Sequence, residues 1–221
     1  MTYLQLVNKV LVRLRETTVT TVNENAYSAL VGEFVNDAKR MVEDAWDWSH
    51  FRTVISEAVD AGESSVEFTF LSDRSRINNV YNSTDKVKLQ YKTREWFYDN
   101  DYLNSDVSGV PQYYTIKNIT GQDSVQFPYS TVLLLYPTPD KRTFLVVDST
   151  LKTAELESDA SVVYVPYAPI VDLAVAFAAR ERGETGGTSA QELFAIADKS
   201  LADAIAFDAN RHPEELIYQV V

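Results

Sequence analysis

Cysteine is absent from these 221 residues, and histidine occurs only as His50 and His212. The first absence excludes disulfides, thiolate zinc sites, iron–sulfur clusters and a cysteine nucleophile. The second leaves too few imidazoles for a multi-histidine metal site and nearly excludes a catalytic triad. Basic charge is also scarce: 20 Lys and Arg face 32 Asp and Glu, a net of −12 with a pI of about 4.6. Gripping a nucleic-acid backbone needs clustered cations, and so does holding an anionic membrane surface. The longest strongly apolar stretch, Ile170–Ala179, is about half the roughly 20 residues of a membrane span. Met1–Leu6 lacks the basic start and apolar run of a signal peptide, so a soluble chain that starts life in a cytoplasm is expected.

Aromatic residues, by contrast, are plentiful: 13 Tyr, 10 Phe and 3 Trp. Large apolar side chains suit cores and protein interfaces. The balance favours a structural or binding protein over an enzyme, with no cofactor and no metal.

Hydrophobic spacing divides the chain into three stretches. Tyr3, Val7, Val10, Leu11 and Leu14 recur at helical steps. The β-branched run Thr17–Val22 then breaks the helix. A second helix is expected from about Asn23, capped by Thr21 and Glu24, with its apolar stripe running from Tyr27 through Phe34, Ala38, Met41 and Val42 to Ala45. From Phe51 the period falls to two. Strands are expected at 54–59, 65–70, 86–91, 113–117, 124–127, 131–136 and 143–147, with a short helix at 93–102 and a clear turn at Pro137–Asp140. The helical period returns after Pro166. Ile170–Ala179 is apolar on nearly every face, and Ser189 with Glu192 caps a fourth helix.

The expected fold is therefore α+β: a bundle of about four helices with a central antiparallel β-sandwich or barrel-like insertion. The expected domains are residues 1–50 with 166–212 for the helices, 51–165 for the β region and 213–221 for a C-terminal tail.

Candidate chemistry is thin. Asp99, Asp101 and Asp106 fail the spacing of a helix–loop–helix calcium site and read as a solvated acidic loop. Gly183, Gly186 and Gly187 lack the lysine of a phosphate loop and read as a turn between helices. Asp47, Ser49 and His50 hold the residue types of a hydrolase triad, but such groups meet from distant positions, and no Gly-x-Ser-x-Gly elbow exists. Trp46 and Trp48 read as packing anchors at the junction with the β region. Ile170, Leu173 and Phe177 are candidates for packing inside the bundle or between subunits. The basic stretch Lys86–Arg94 has two readings, a contact with nucleic acid or with an acidic partner surface.

Several short segments, in order, resemble the head-to-tail adaptors of tailed phages, the group that includes the tail tubular protein A of short-tailed phages. They are the opening helix Tyr3–Glu16, the end of the second helix at Ala45–Trp48, the strand and turn Leu133–Asp140, and Val165–Tyr167 ahead of an alanine-rich helix. The resemblance implies a virion structural protein that forms a ring, typically of twelve, between the portal protein and a tail nozzle or tail-tube protein. DNA would pass through the channel without specific binding. It also implies a C-terminal arm on the portal, here Leu216, Ile217, Tyr218, Val220 and Val221, although the segment after Pro213 is short for a long embrace. A β-sandwich module binding glycan or protein, without a ring, is the alternative.

Overall fold

The computed structural model describes residues 1–68, 74–103, 107–121, 129–183 and 188–211. The chain divides into two compact units, one of residues 1–50 together with those from Thr153 onward, the other Phe51–Lys152.

The first unit is built from four helices: α1 (Tyr3–Arg13), α2 (Ala26–Ala45), α4 (Tyr167–Glu181) and α5 (Thr188–Ala209). Thr2 caps α1 through a reciprocal box with Gln5. Its buried residues Tyr3, Leu6, Val7, Val10 and Leu11 follow the three- and four-residue steps of one helix face. The cap of α2 is Asn25 with Ser28, not Thr21 with Glu24. Glu24 instead accepts from the amide and hydroxyl of Thr20, which closes a turn and delays the helix. Met41 is 51% exposed rather than part of the apolar stripe, whereas Lys39 and Glu43 are buried. Alpha helix α4 packs against α1, α2 and α5, so its all-round apolar character is met within this unit. Ser189, in the expected cap of α5, has a side chain outside the described residues, as are residues 184–187 of the expected turn.

Residues 153–165 run extended along the helices and return few ladder bonds of their own. Asn36 binds Leu156 in both directions, its amide donating to the carbonyl at 3.2 Å and its oxygen accepting from the amide at 2.9 Å. Thr2 and Val162 form an isolated antiparallel bridge.

The second unit holds β1 (Arg52–Val59), β2 (Ser65–Phe68), β3 (Arg76–Asn82), β4 (Val87–Tyr91), α3 (Arg94–Leu103), β5 (Ser108–Gly109), β6 (Tyr113–Gly121), β7 (Tyr129–Tyr136), β8 (Thr138–Pro139) and β9 (Thr143–Thr150). Seven of these strands form one sheet in the order β1-β9-β3-β4-β6-β7-β2. Its two outermost strands, β1 and β2, are consecutive in sequence and joined through residues 60–64. Such a short link between opposite edges makes the sheet curl almost into a barrel. Residues Val59, Phe68, Val80, Leu89, Leu133 and Leu145 fill its inside.

The α+β class with a barrel-like β region holds, but the sheet is mixed rather than wholly antiparallel. Strands β4 and β6 run parallel, and α3 provides the crossover that parallel neighbours require. Strand β3 was not expected. The turn at Pro137–Asp140 contains a cis Tyr136–Pro137 bond and the short strand β8, which pairs with β5. The expected strand at 124–127 lies outside the described residues. The chain enters and leaves this unit side by side, with the Leu151 amide donating to the Phe51 carbonyl at 2.9 Å.

Candidate assembly surface

Helix α4 starts abruptly. Pro166 precedes it without a side-chain cap, and Tyr164 and Tyr167 on either side of that proline are 54% and 46% exposed. An apolar groove of about 560 Å³ opens beside this start, between residues 164–169 and the C-terminal half of α5. Trp48 lies in its floor, fully buried, with its indole N–H donating to the Val42 carbonyl at 2.8 Å. Phe207 stands on the rim and is 75% exposed. His50 lies flat on the Tyr164 ring at 5.0 Å between centroids.

Asp208 fixes the end of α5 against the segment after α2. One carboxylate oxygen accepts from the Ser49 hydroxyl at 2.7 Å, and the other accepts from the Ser49 amide at 2.9 Å and the Trp46 indole at 3.2 Å. Burial raises the cost of its charge, but the Ser49 hydroxyl and amide and the Trp46 indole, with Arg211 nearby, outweigh that and hold its pKa below the ordinary carboxylate range. The Ser49 hydroxyl thus serves Asp208 as a structural donor.

A second hollow, about 810 Å³, lies where α1 meets the start of α4. Val12 on its wall is 60% exposed. The Lys9 ammonium sits 4.9 Å from the Tyr167 ring centroid, and Arg13 pairs with Asp172. Ala168 lines both hollows, so they flank the first turn of α4.

The expected site residues separate under the structure. Ile170 and Leu173 are buried inside the bundle. Phe177 is half-buried between Phe34 and Phe194, with the Arg180 guanidinium near both Phe177 and Phe194. Trp48 is buried, whereas Trp46 is 37% exposed and tied to Asp208. Leu216, Ile217, Tyr218, Val220 and Val221 lie outside the described residues. Tyr164, Tyr167 and Phe207 were not singled out in the sequence. Tyr167 and Phe207 lie on α4 and α5, whereas Tyr164 precedes Pro166 outside any helix.

Among the described residues, no group of three or more His, Asp or Glu side chains is arranged to hold a metal ion. No helix among them is long and apolar enough to cross a membrane. Asp99 is exposed on α3, and the side chains of Asp101 and Asp106 fall outside the described residues.

A search of curated proteins finds no match. The family model described as SU10 adaptor protein matches residues 1–215. That span takes in both units, the groove and the start of the tail, and the chain therefore belongs to the SU10 adaptor protein family of phage head-to-tail adaptors.

Proposed function

We propose that this adaptor assembles as a closed ring, dodecameric as in the adaptors it resembles, between portal and tail in the neck of the virion. In this reading assembly takes place in the host cytoplasm, the portal protein and a tail nozzle or tail-tube protein are its partners, and its role is structural rather than catalytic. The family match over residues 1–215 carries the reading. The groove beside α4 supports it, because Tyr164, Tyr167 and Phe207 leave more aromatic surface in water than folding of the unit requires. The tail residues Leu216, Ile217, Tyr218, Val220 and Val221 are proposed to dock on the portal through burial of their apolar side chains.

Charge sharpens the picture of the channel. The helical unit has 19 acidic and 9 basic residues, the β unit 13 and 11. Nearly all the net negative charge is therefore helical, and a ring multiplies it. We assign the lumen to acidic helical surface, which repels phosphate and keeps moving DNA from sticking.

Negative-stain microscopy of the purified chain, with and without the portal protein of the same phage, tests the proposal. Rings seated on the portal are expected. A monomer or dimer indifferent to the portal would overturn it, and an electropositive lumen in the assembled ring would overturn the channel assignment.

A further inference from the structure

Among the described residues, one face of the β unit exposes large apolar side chains. Val59, Leu145, Val80 and Leu89 point into the core from β1, β9, β3 and β4, so the residues alternating with them point outward. Register sets which of these lie side by side. Ser56, Val146, Tyr81 and Lys88 stand opposite one another across the four strands. One step along, Ala58 is opposite Phe144, whose ring lies 5.7 Å from the Arg142 guanidinium. One step the other way, Val54 is opposite Asp148, whose charge is met by Arg52 at 2.6 Å.

The face carries apolar side chains on β1, β9 and β3 and cations at Lys88 and Arg142, with Asp148 and Asp60 beside them. Val54 is 65% exposed, Phe144 48% and Tyr81 38%. Lys86, Lys88 and Arg142 are exposed around them, Arg142 also making a solvent-exposed 3.4 Å contact with Asp60. Strands about 4.8 Å apart give four strands a width of roughly 14 Å. An α-helix with its side chains is about 10–12 Å across. Helix α3 already covers the adjoining part of the sheet, with Trp96 against Tyr113 and Tyr136.

Helix α2 offers the complement. Glu33, Asp37, Met41 and Asp44 are exposed at steps of four, four and three residues, with Arg40 exposed among them, the spacing of a single helix face on which three carboxylates outnumber one cation. Met41, at 51% exposure, is the apolar residue in that row. We infer that this sheet face of one copy receives the α2 row of a second copy, Met41 meeting the apolar side chains and the carboxylates meeting Lys88, Lys86 and Arg142. The inference rests on the ring reading and names its lateral contact. Face and row differ, so every copy presents both, which is the head-to-tail geometry that closes a ring. A phosphate backbone satisfies the cations but leaves Val54 and Phe144 in water, whereas an acidic helix with an exposed methionine satisfies both.

The absence of cysteine makes the test direct. Val54→Cys and Met41→Cys, placed in separate full-length chains and mixed with the portal ring under oxidation, should give the mixed disulfide pair in preference to either homodimer. The double variant Lys88→Glu/Arg142→Glu should cut ring yield on the portal at least about tenfold, since like charges then face each other. Thermal unfolding should stay put, and adding Asp37→Lys should restore part of the loss. If the unmodified chain forms no rings, the ring reading itself fails. If it forms rings, yet the double variant assembles normally and no mixed disulfide appears, the assigned face is wrong. Loss of duplex-oligonucleotide binding with normal rings would give the face to nucleic acid and overturn the inference as well.

Discussion

Lys39 and Glu43 face each other one turn apart on α2, ammonium to carboxylate 2.9 Å, with side chains only 3% and 0% exposed. The remaining two protons of Lys39 are taken by the carbonyls of Ala154 at 2.8 Å and Thr153 at 3.3 Å. The Thr153 hydroxyl donates to the same Glu43 oxygen at 2.6 Å. A buried pair of charges persists only when its hydrogen bonds are completed in this way. Here they pin the start of the extended segment to α2. Lys39→Met takes the ammonium away from a carboxylate that stays buried, and chemical denaturation should show a loss of about 3–5 kcal/mol. Lys39→Met with Glu43→Leu should recover much of it.

Asp208 and Asp148 make the fold sensitive to acid. Asp148 is held below the ordinary carboxylate range by its bond to Arg52, assisted by Asn79 and Asn78 against the opposing effect of burial. Asp208 is held low as described above. In both, the ionised form is favoured by the folded chain, so the stability they contribute is complete above the unfolded carboxylate pKa of about 3.9. It drains away as the pH falls below that value through the folded pKa. Denaturation midpoints measured from pH 6 to pH 2 should fall less steeply in Asp208→Asn than in the unmodified chain. At pH 7 the same variant should lose about 1–3 kcal/mol, because an amide cannot accept from donors facing both oxygens.

Gly32 lets α1 and α2 come close. A Cβ built there would lie 2.5 Å from the Tyr3 hydroxyl oxygen and 2.9 Å from a methyl of Val22. The tyrosine is no flexible neighbour: it is 5% exposed, and burial, with the charges of Glu33, Asp159 and Glu155, pushes its phenol up to about 12. Alanine in place of a helical glycine ordinarily gains up to about 1 kcal/mol. Gly32→Ala should instead lose about 1–3 kcal/mol by overpacking, seen as a lower Tm with unchanged helical circular dichroism.

Phe207 separates folding from docking. At 75% exposure its replacement by serine should change stability by no more than about 0.5 kcal/mol. Co-sedimentation with portal rings should nonetheless weaken. Deleting residues 214–221 should likewise weaken portal docking and leave thermal unfolding nearly unchanged. Equal docking by the truncated chain would remove the tail from the portal contact.

The helices were legible because their apolar residues keep the helical period without interruption, as in Tyr3, Val7, Val10 and Leu11. Strand β3 was hidden for a local reason. Its register slips between Ile77 and Asn79, leaving Asn78 as the extra residue, whose amide donates to the Thr150 hydroxyl at 3.2 Å. A bulge moves the following side chains to the opposite parity, so no alternation survives in Arg76–Asn82. Charge usually marks the wet side of a helix, but Lys39 is buried because carbonyls brought by residues 153–154 meet its ammonium, and Met41 lies outside the stripe expected of it. The groove could not be read at all. Trp48, Tyr164 and Phe207 are far apart in sequence and meet only once α4 and α5 pack.

The junction of Phe51 and Leu151, one hydrogen bond apart, has an evolutionary consequence. A segment that departs and returns at the same point is an interchangeable cassette. The helical unit closes its own core with residues from both sides of that point, so insertions, deletions or wholesale replacement between them need alter only a two-strand stem. A lineage can thus exchange the cassette while the helical unit remains under its own separate constraints.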